Sequence, residues 1–169
     1  KTIAGGIPAG AYGMTQRLQD RVHNSLSLED IDVGGVGGTL AGNALSLAAM
    51  RATLGSVLTE DVYPDMILRA EEWTSGVQSC LTDLGIPWQV TQLGARAEYS
   101  FLPQAPRDGR EAAAADDFEL QQYLHLHALN RGILMTPFHN MALMSPETTQ
   151  SDVAAHTAHF REAVESLFL

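Results

Sequence analysis

The stretch "KTIAGGIPAGAYG", residues 1–13, holds the only lysine among the 169 residues. The other basic side chains are nine arginines. Lys1 is followed by Gly5, Gly6, Gly10 and Gly13, which give backbone freedom, and by Pro8, which fixes a turn. A lysine amine becomes a nucleophile when it is desolvated, and it then forms a Schiff base with a carbonyl. A solvated side chain near one end of the sequence fits the same residue equally well.

Composition narrows the classes around this lysine. The formal net charge of −10 argues against a nucleic-acid partner, because a phosphate backbone needs a basic surface. No stretch approaches the roughly 20 apolar residues of a membrane helix. The start lacks the basic-then-apolar pattern of a signal peptide. One cysteine, Cys80, forms no internal disulfide, so a reducing cytoplasm is expected. Its place in an amphipathic run makes it a buried thiol rather than a nucleophile.

Working outward from residue 13, "IPAGAYG" carries a short strand. "MTQRLQDRVHNSL" is a helix with Met14, Leu18, Val22 and Leu26 on one face. Residues 27–38 form a loop with two Gly pairs. "TLAGNALSLAAMRATLGSVL", starting at Thr39, is a helix apolar almost all round, which needs neighbours to bury it. A surface helix spans Pro64 to Leu84, with Met66, Ala70, Trp73, Val77 and Leu81 at helical spacing and Gly85 and Pro87 as its stop. "WQVTQLGARAEYSFL" is strand-like with a bulge or close approach at Gly94. Residues 103–117 are a polar loop. A helix follows to Gly132, then short strands in "ILMTPF" and "MALM". A last helix opens on the Thr149–Asp152 capping pattern. The expected fold class is α/β, with residues 61–169 forming a small α/β domain and residues 1–60 carrying apolar elements that need further partners.

The second chemical candidate is "GGVGGTLAGN", residues 34–43. A Gly-rich turn with a hydroxyl at a helix start attracts anions through free N–H groups and the helix dipole. Thr39 could equally cap its helix. The stretch is neither a Walker loop nor a dinucleotide fingerprint.

The two segments together, "KTIAGGIPAGAYG" and "GTLAGNALSLAAMRATL", resemble the class III aminotransferase family of fold-type I pyridoxal-phosphate enzymes, including its aminomutase branch. "GIPWQVTQLGARAEYSF" and "LNRGILMTPFHNMALMSPETTQSDV" resemble the family's C-terminal domain. The resemblance implies that Lys1 carries pyridoxal 5'-phosphate as a Schiff base. It implies that Thr39, with Gly38 beside it, binds the cofactor phosphate of the neighbouring subunit in a homodimer. It implies an end of the large domain plus the small domain, and an N-terminal portion carrying the rest of the cofactor site. Ala4, Met14 and Ala44 depart from residues frequent in the family and leave the subfamily open. The implied activity is an aminotransferase moving an amino group between a small amino donor and a keto acceptor. An aminomutase-type isomerase and a non-catalytic interaction domain are the alternatives.

Arg96 suits a substrate carboxylate, since a guanidinium offers two parallel hydrogen bonds, and it suits an ion pair with Glu98 as well. His139 and Asn140 fit a substrate channel or a turn. Arg131 suits a helix C-terminus. His125 and His127 are two apart and point to opposite sides of a helix. His156 and His159 are three apart, but no acid or cysteine completes a ligand set. They are expected on the solvated surface, with no metal.

Overall fold

The computed structural model describes residues 2–26, 38, 40–136 and 139–167. The chain divides into two compact units, Lys1–Thr59 and Glu60–Leu169.

In the first unit a 3-10 turn, Thr2–Ala4, precedes helices α1 (Gln16–Leu26) and α2 (Ala44–Ser56). The strand expected in "IPAGAYG" is not formed. A strand needs a ladder partner, and the described residues of this unit contain none. The turn packs on α2 and buries Ala4. Gly5 takes a left-handed φ of +59°, and a Cβ there would lie 3.2 Å from Thr53 Oγ1. Glycine is therefore required both by conformation and by close approach.

Helix α2 starts at Ala44 rather than Thr39. Asn43 is the N-cap, its side-chain oxygen accepting from Ser46 N–H at 2.9 Å. Asparagine is among the strongest capping residues, because its short carbonyl reaches an amide that the helix leaves unpaired. Leu45, Leu47 and Leu54 of α2 and Val57 after it stay exposed.

In the second unit helix α3 (Tyr63–Asp83) is the central element. Met66, Ala70, Trp73, Val77, Cys80 and Leu81 form its buried stripe. Pro64 sits in its first turn, where a missing N–H costs nothing. Gly85 ends it at φ +66°. Gly85 N–H donates to Thr82 O and Ile86 N–H to Leu81 O, the paired bonds of a Schellman stop.

Next come β1 (Gln89–Leu93) and β2 (Arg96–Ser100), joined by the two-residue turn Gly94–Ala95. The segment expected as one bulged strand is therefore a hairpin. Gly94, at φ +58°, makes its turn, because short hairpin turns need a positive φ. The loop expected at 103–117 contains a short helix, α4 (Gly109–Ala114), capped by Asp108. Helix α5 (Phe118–Leu129), strand β3 (Met141–Leu143) and helix α6 (Gln150–Glu165) complete the order. The expected strand in "ILMTPF" is absent over residues 133–136, while 137 and 138 lie outside the described residues.

The sheet order is β1-β2-β3, antiparallel throughout, with Ala97 opposite Ala142. The buried face of β2, Ala97 and Tyr99, meets α3, and α6 packs on α3 and α5. The core is aromatic. Tyr99 lies 6.1 Å from Trp73, 5.0 Å from Phe160 and 6.4 Å from Trp88 between ring centroids. Full burial of an aliphatic side chain such as Val77 or Leu81 contributes about 2 kcal/mol each. The capping box at Thr149 and Asp152 is formed, with both reciprocal bonds present.

Candidate active site

Lys1 and Thr39 lie outside the described residues. The structure shows what holds the backbone beside them. Ser46 Oγ donates to the Pro8 carbonyl at 2.9 Å and accepts from Asn43 Nδ2 at 3.0 Å. Asn43 Nδ2 also donates to Leu40 O at 3.0 Å. One relay therefore ties three segments together: the loop after Lys1, the turn after Thr39, and the first turn of α2. Ser46 is buried, so both of its bonds are shielded from water.

Gly38 takes φ +78° and is exposed, and among the described residues beyond its chain neighbours no atom lies within 4 Å of where a Cβ would stand. Its carbonyl accepts from Ala41 N–H at 3.1 Å, and Asn43 N–H closes the next turn on Leu40 O. The turn thus leads into the positive end of α2, which Asn43 caps. Since Asn43 holds the cap, Thr39 is not required for it.

The sequence reading missed Asn43, Ser46 and the Pro8 carbonyl. Their signal was present: an asparagine before an Ala/Leu run, with a serine three residues on.

The remaining candidates lie in the second unit. Arg96 Nη2 bonds Glu98 Oε2 at 2.6 Å, so its charge already has a carboxylate partner. His139 is exposed, and its N–H donates to Thr136 O in a turn. Arg96 and His139 stand at opposite ends of the β2–β3 pair, since Arg96 faces Leu143 while Tyr99 N–H bonds Asn140 O. The structure does not bring them together. Arg131 follows α5, donating from Nη1 to His127 O at 3.2 Å and from Nε to Glu162 Oε2 at 3.1 Å. Cys80 is buried, and burial pushes its thiol pKa up.

One expectation is overturned. His156 is buried, not on the surface. It sits on the apolar stripe of α6 with Val153, Phe160, Ala163 and Val164, so spacing outweighs residue type. Among the described residues no group of three or more His, Cys, Asp or Glu is placed to hold a metal ion.

No protein-family model matches the chain. It is 30% identical over 168 residues to glutamate-1-semialdehyde 2,1-aminomutase of Desulfitobacterium hafniense, covering 99% of this chain and 37% of that protein. The crystal structure of a glutamate-1-semialdehyde-aminomutase from Pseudomonas aeruginosa PAO1 superposes with a TM-score of 0.91 at 47% identity, over 98% of this chain and 37% of that one. These homologues are class III aminotransferase-like pyridoxal-phosphate enzymes. The chain matches the C-terminal part of these fold-type I enzymes and spans 37% of the length of the Desulfitobacterium protein. A β-phenylalanine aminotransferase from Variovorax paradoxus shares the fold, with a TM-score of 0.73 at 23% identity. Among the described residues no helix is long and apolar enough to cross a membrane.

Proposed function

We propose that this chain carries the lysine-bearing part of a pyridoxal-phosphate enzyme that moves amino groups between small molecules. The observation that carries the reading is the Asn43–Ser46–Pro8 relay, which ties the backbone beside Lys1 to the turn beside Thr39. The left-handed Gly38 turn fits the anionic end of the cofactor. A lysine-to-alanine variant of the Pseudomonas enzyme was crystallised in complex with PMP, which supports a cofactor of this class.

In this proposal the Lys1 Nζ amine holds pyridoxal 5'-phosphate covalently. The free Lys1 Nζ amine would serve as the base that takes the proton from the substrate carbon bearing nitrogen. When bound, the cofactor supplies the electron sink that makes that carbon acidic. Gly38 and Thr39 bind the phosphate of the neighbouring subunit in a homodimer. Residues 1–60 are the end of the large domain, and 61–169 are the small domain. The protein works in the cytoplasm. Arg96 and His139 remain substrate-side candidates only as side chains of the small domain.

The primary reading is transamination between an amino donor and a keto acid. The 47% identity to a glutamate-1-semialdehyde-aminomutase favours a second reading, in which the amino group moves within one molecule. Incubating the intact protein with an α-amino acid and a keto acid separates them. Transamination releases a free keto acid derived from the donor. Isomerisation converts a substrate with no second product. Lys1→Ala abolishes either activity, and an unimpaired Lys1→Ala enzyme would overturn both readings.

A further inference from the structure

Five of the six histidines, His125, His127, His139, His156 and His159, line one cavity of about 20 Å³ bounded by β2, α5 and α6. His125 Nδ1, His127 Nε2 and His156 Nδ1 are buried without hydrogen-bond partners. His156 is only 6% exposed, its ring 5.2 Å from Trp73 and 6.0 Å from Phe160 between centroids. Burial with an unpartnered Nδ1 favours the neutral imidazole.

A single carboxylate serves the other side of the seam. Glu162 Oε2 lies 3.1 Å from Arg131 Nε, 3.3 Å from His159 Nδ1 and 3.8 Å from His127 Nε2. The bond from His159, then that from Arg131, holds the Glu162 carboxyl below its usual range. His159 and Arg131 are thus nearer than His127 to the carboxylate that a protonated His127 would need.

The titratable and charged groups facing His156 can be named by element. Helix α5 brings His125 and His127, and the α5–β3 connection brings Arg131 and His139. Strand β2 brings the Tyr99 phenol, and α6 brings His159. Glu147 and Asp152 lie on the other side of the ring, where Asp152 is committed to Thr149. From helix α3 it is the Trp73 ring that meets His156.

We propose that the α5–α6 seam is an acid-released clasp, closed while these imidazoles are neutral and opened when protons enter His156 and His127. Burial lowers the His156 pKa to about 4, with the His159 charge acting the same way, and burial followed by Arg131 lowers that of His127. The sign follows. Between the ordinary histidine value of 6.5 and the depressed one, the opened seam binds more protons than the closed one. The open population therefore rises as pH falls, by up to about tenfold per pH unit for each proton taken up.

The test is hydrogen exchange of the intact protein between about pH 7 and about pH 5.5, a window in which carboxylates stay ionised. Exchange in α5 and α6 is corrected for intrinsic rates and compared with the β1–β2 hairpin. The proposal expects relative exchange of the two helices to rise about tenfold or more. It expects a shallower slope in His156→Phe and in His127→Gln. Should His156→Phe fail to fold, His127→Gln decides alone. Helices that track the hairpin at every pH, or a slope unchanged by His127→Gln, would overturn it.

Discussion

Gly76 and Thr157 meet where α3 crosses α6, so closely that a Cβ on Gly76 would lie 2.6 Å from Thr157 Oγ1. The threonine hydroxyl is held by its own bond to Val153 O at 3.1 Å and cannot swing away freely. Alanine at position 76 should therefore destabilise the second unit by about 1–3 kcal/mol despite its better helix propensity. Thr157→Ala in that background should restore most of the loss. Urea unfolding of the two variants and the pair measures it. An unchanged midpoint for Gly76→Ala would mean the helices separate at no cost.

Cys80 is 1% exposed in the core beside α6, and its Sγ contacts Thr157 O at 3.8 Å. Burial raises its pKa, so little thiolate forms near neutral pH. A disulfide reagent should modify it only as the protein unfolds, with a rate that follows denaturant. Rapid labelling of the folded protein would contradict the buried assignment.

Thr149 and Asp152 close the start of α6 reciprocally. Thr149→Ala should cost about 1 kcal/mol, read as a lowered thermal midpoint, because it strips a first-turn amide of its acceptor. The bond from Thr149 holds the Asp152 carboxyl below its usual value. This contribution is present above the ordinary carboxylate pKa and is lost as pH falls through the depressed one. Thr149→Ala and the parent should accordingly converge in stability under acid conditions.

Arg96 is half exposed in its pair with Glu98. A solvated pair of this kind contributes about 0–1 kcal/mol. Arg96→Gln should leave the unfolding midpoint nearly unchanged and, if the pair is its whole role, leave KM unchanged as well. A large rise in KM with an unaltered midpoint would assign Arg96 to the substrate carboxylate instead.

Long periodic stretches were readable before the structure was known. The stripe of Met66 to Leu81 and the Thr149–Asp152 start each rest on local spacing, and α3 and α6 formed where they indicated. What was misread depends on partners distant in sequence. Gly94 makes a turn because Val90 finds Tyr99 across the hairpin, a pairing that composition does not state. Residues 7–13 form no strand because a ladder needs a second strand. His156 was placed on the surface by residue type, though its spacing already set it beside Phe160 on the buried stripe. For the site, the two motifs pointed to Lys1 and Thr39, which lie outside the described residues. The relay through Ser46 was not legible, since a serine 38 positions from Pro8 gives no local sign of its bond.

The central claim is that Lys1 carries the cofactor. Borohydride reduction of the purified intact protein, followed by peptide mapping, tests it directly, because reduction fixes a lysine Schiff base as a stable pyridoxyl amine. The account predicts the pyridoxyl mass on the peptide "KTIAGGIPAGAYG", at Lys1 Nζ. An unmodified Lys1, in a protein that binds the cofactor elsewhere or not at all, would contradict it.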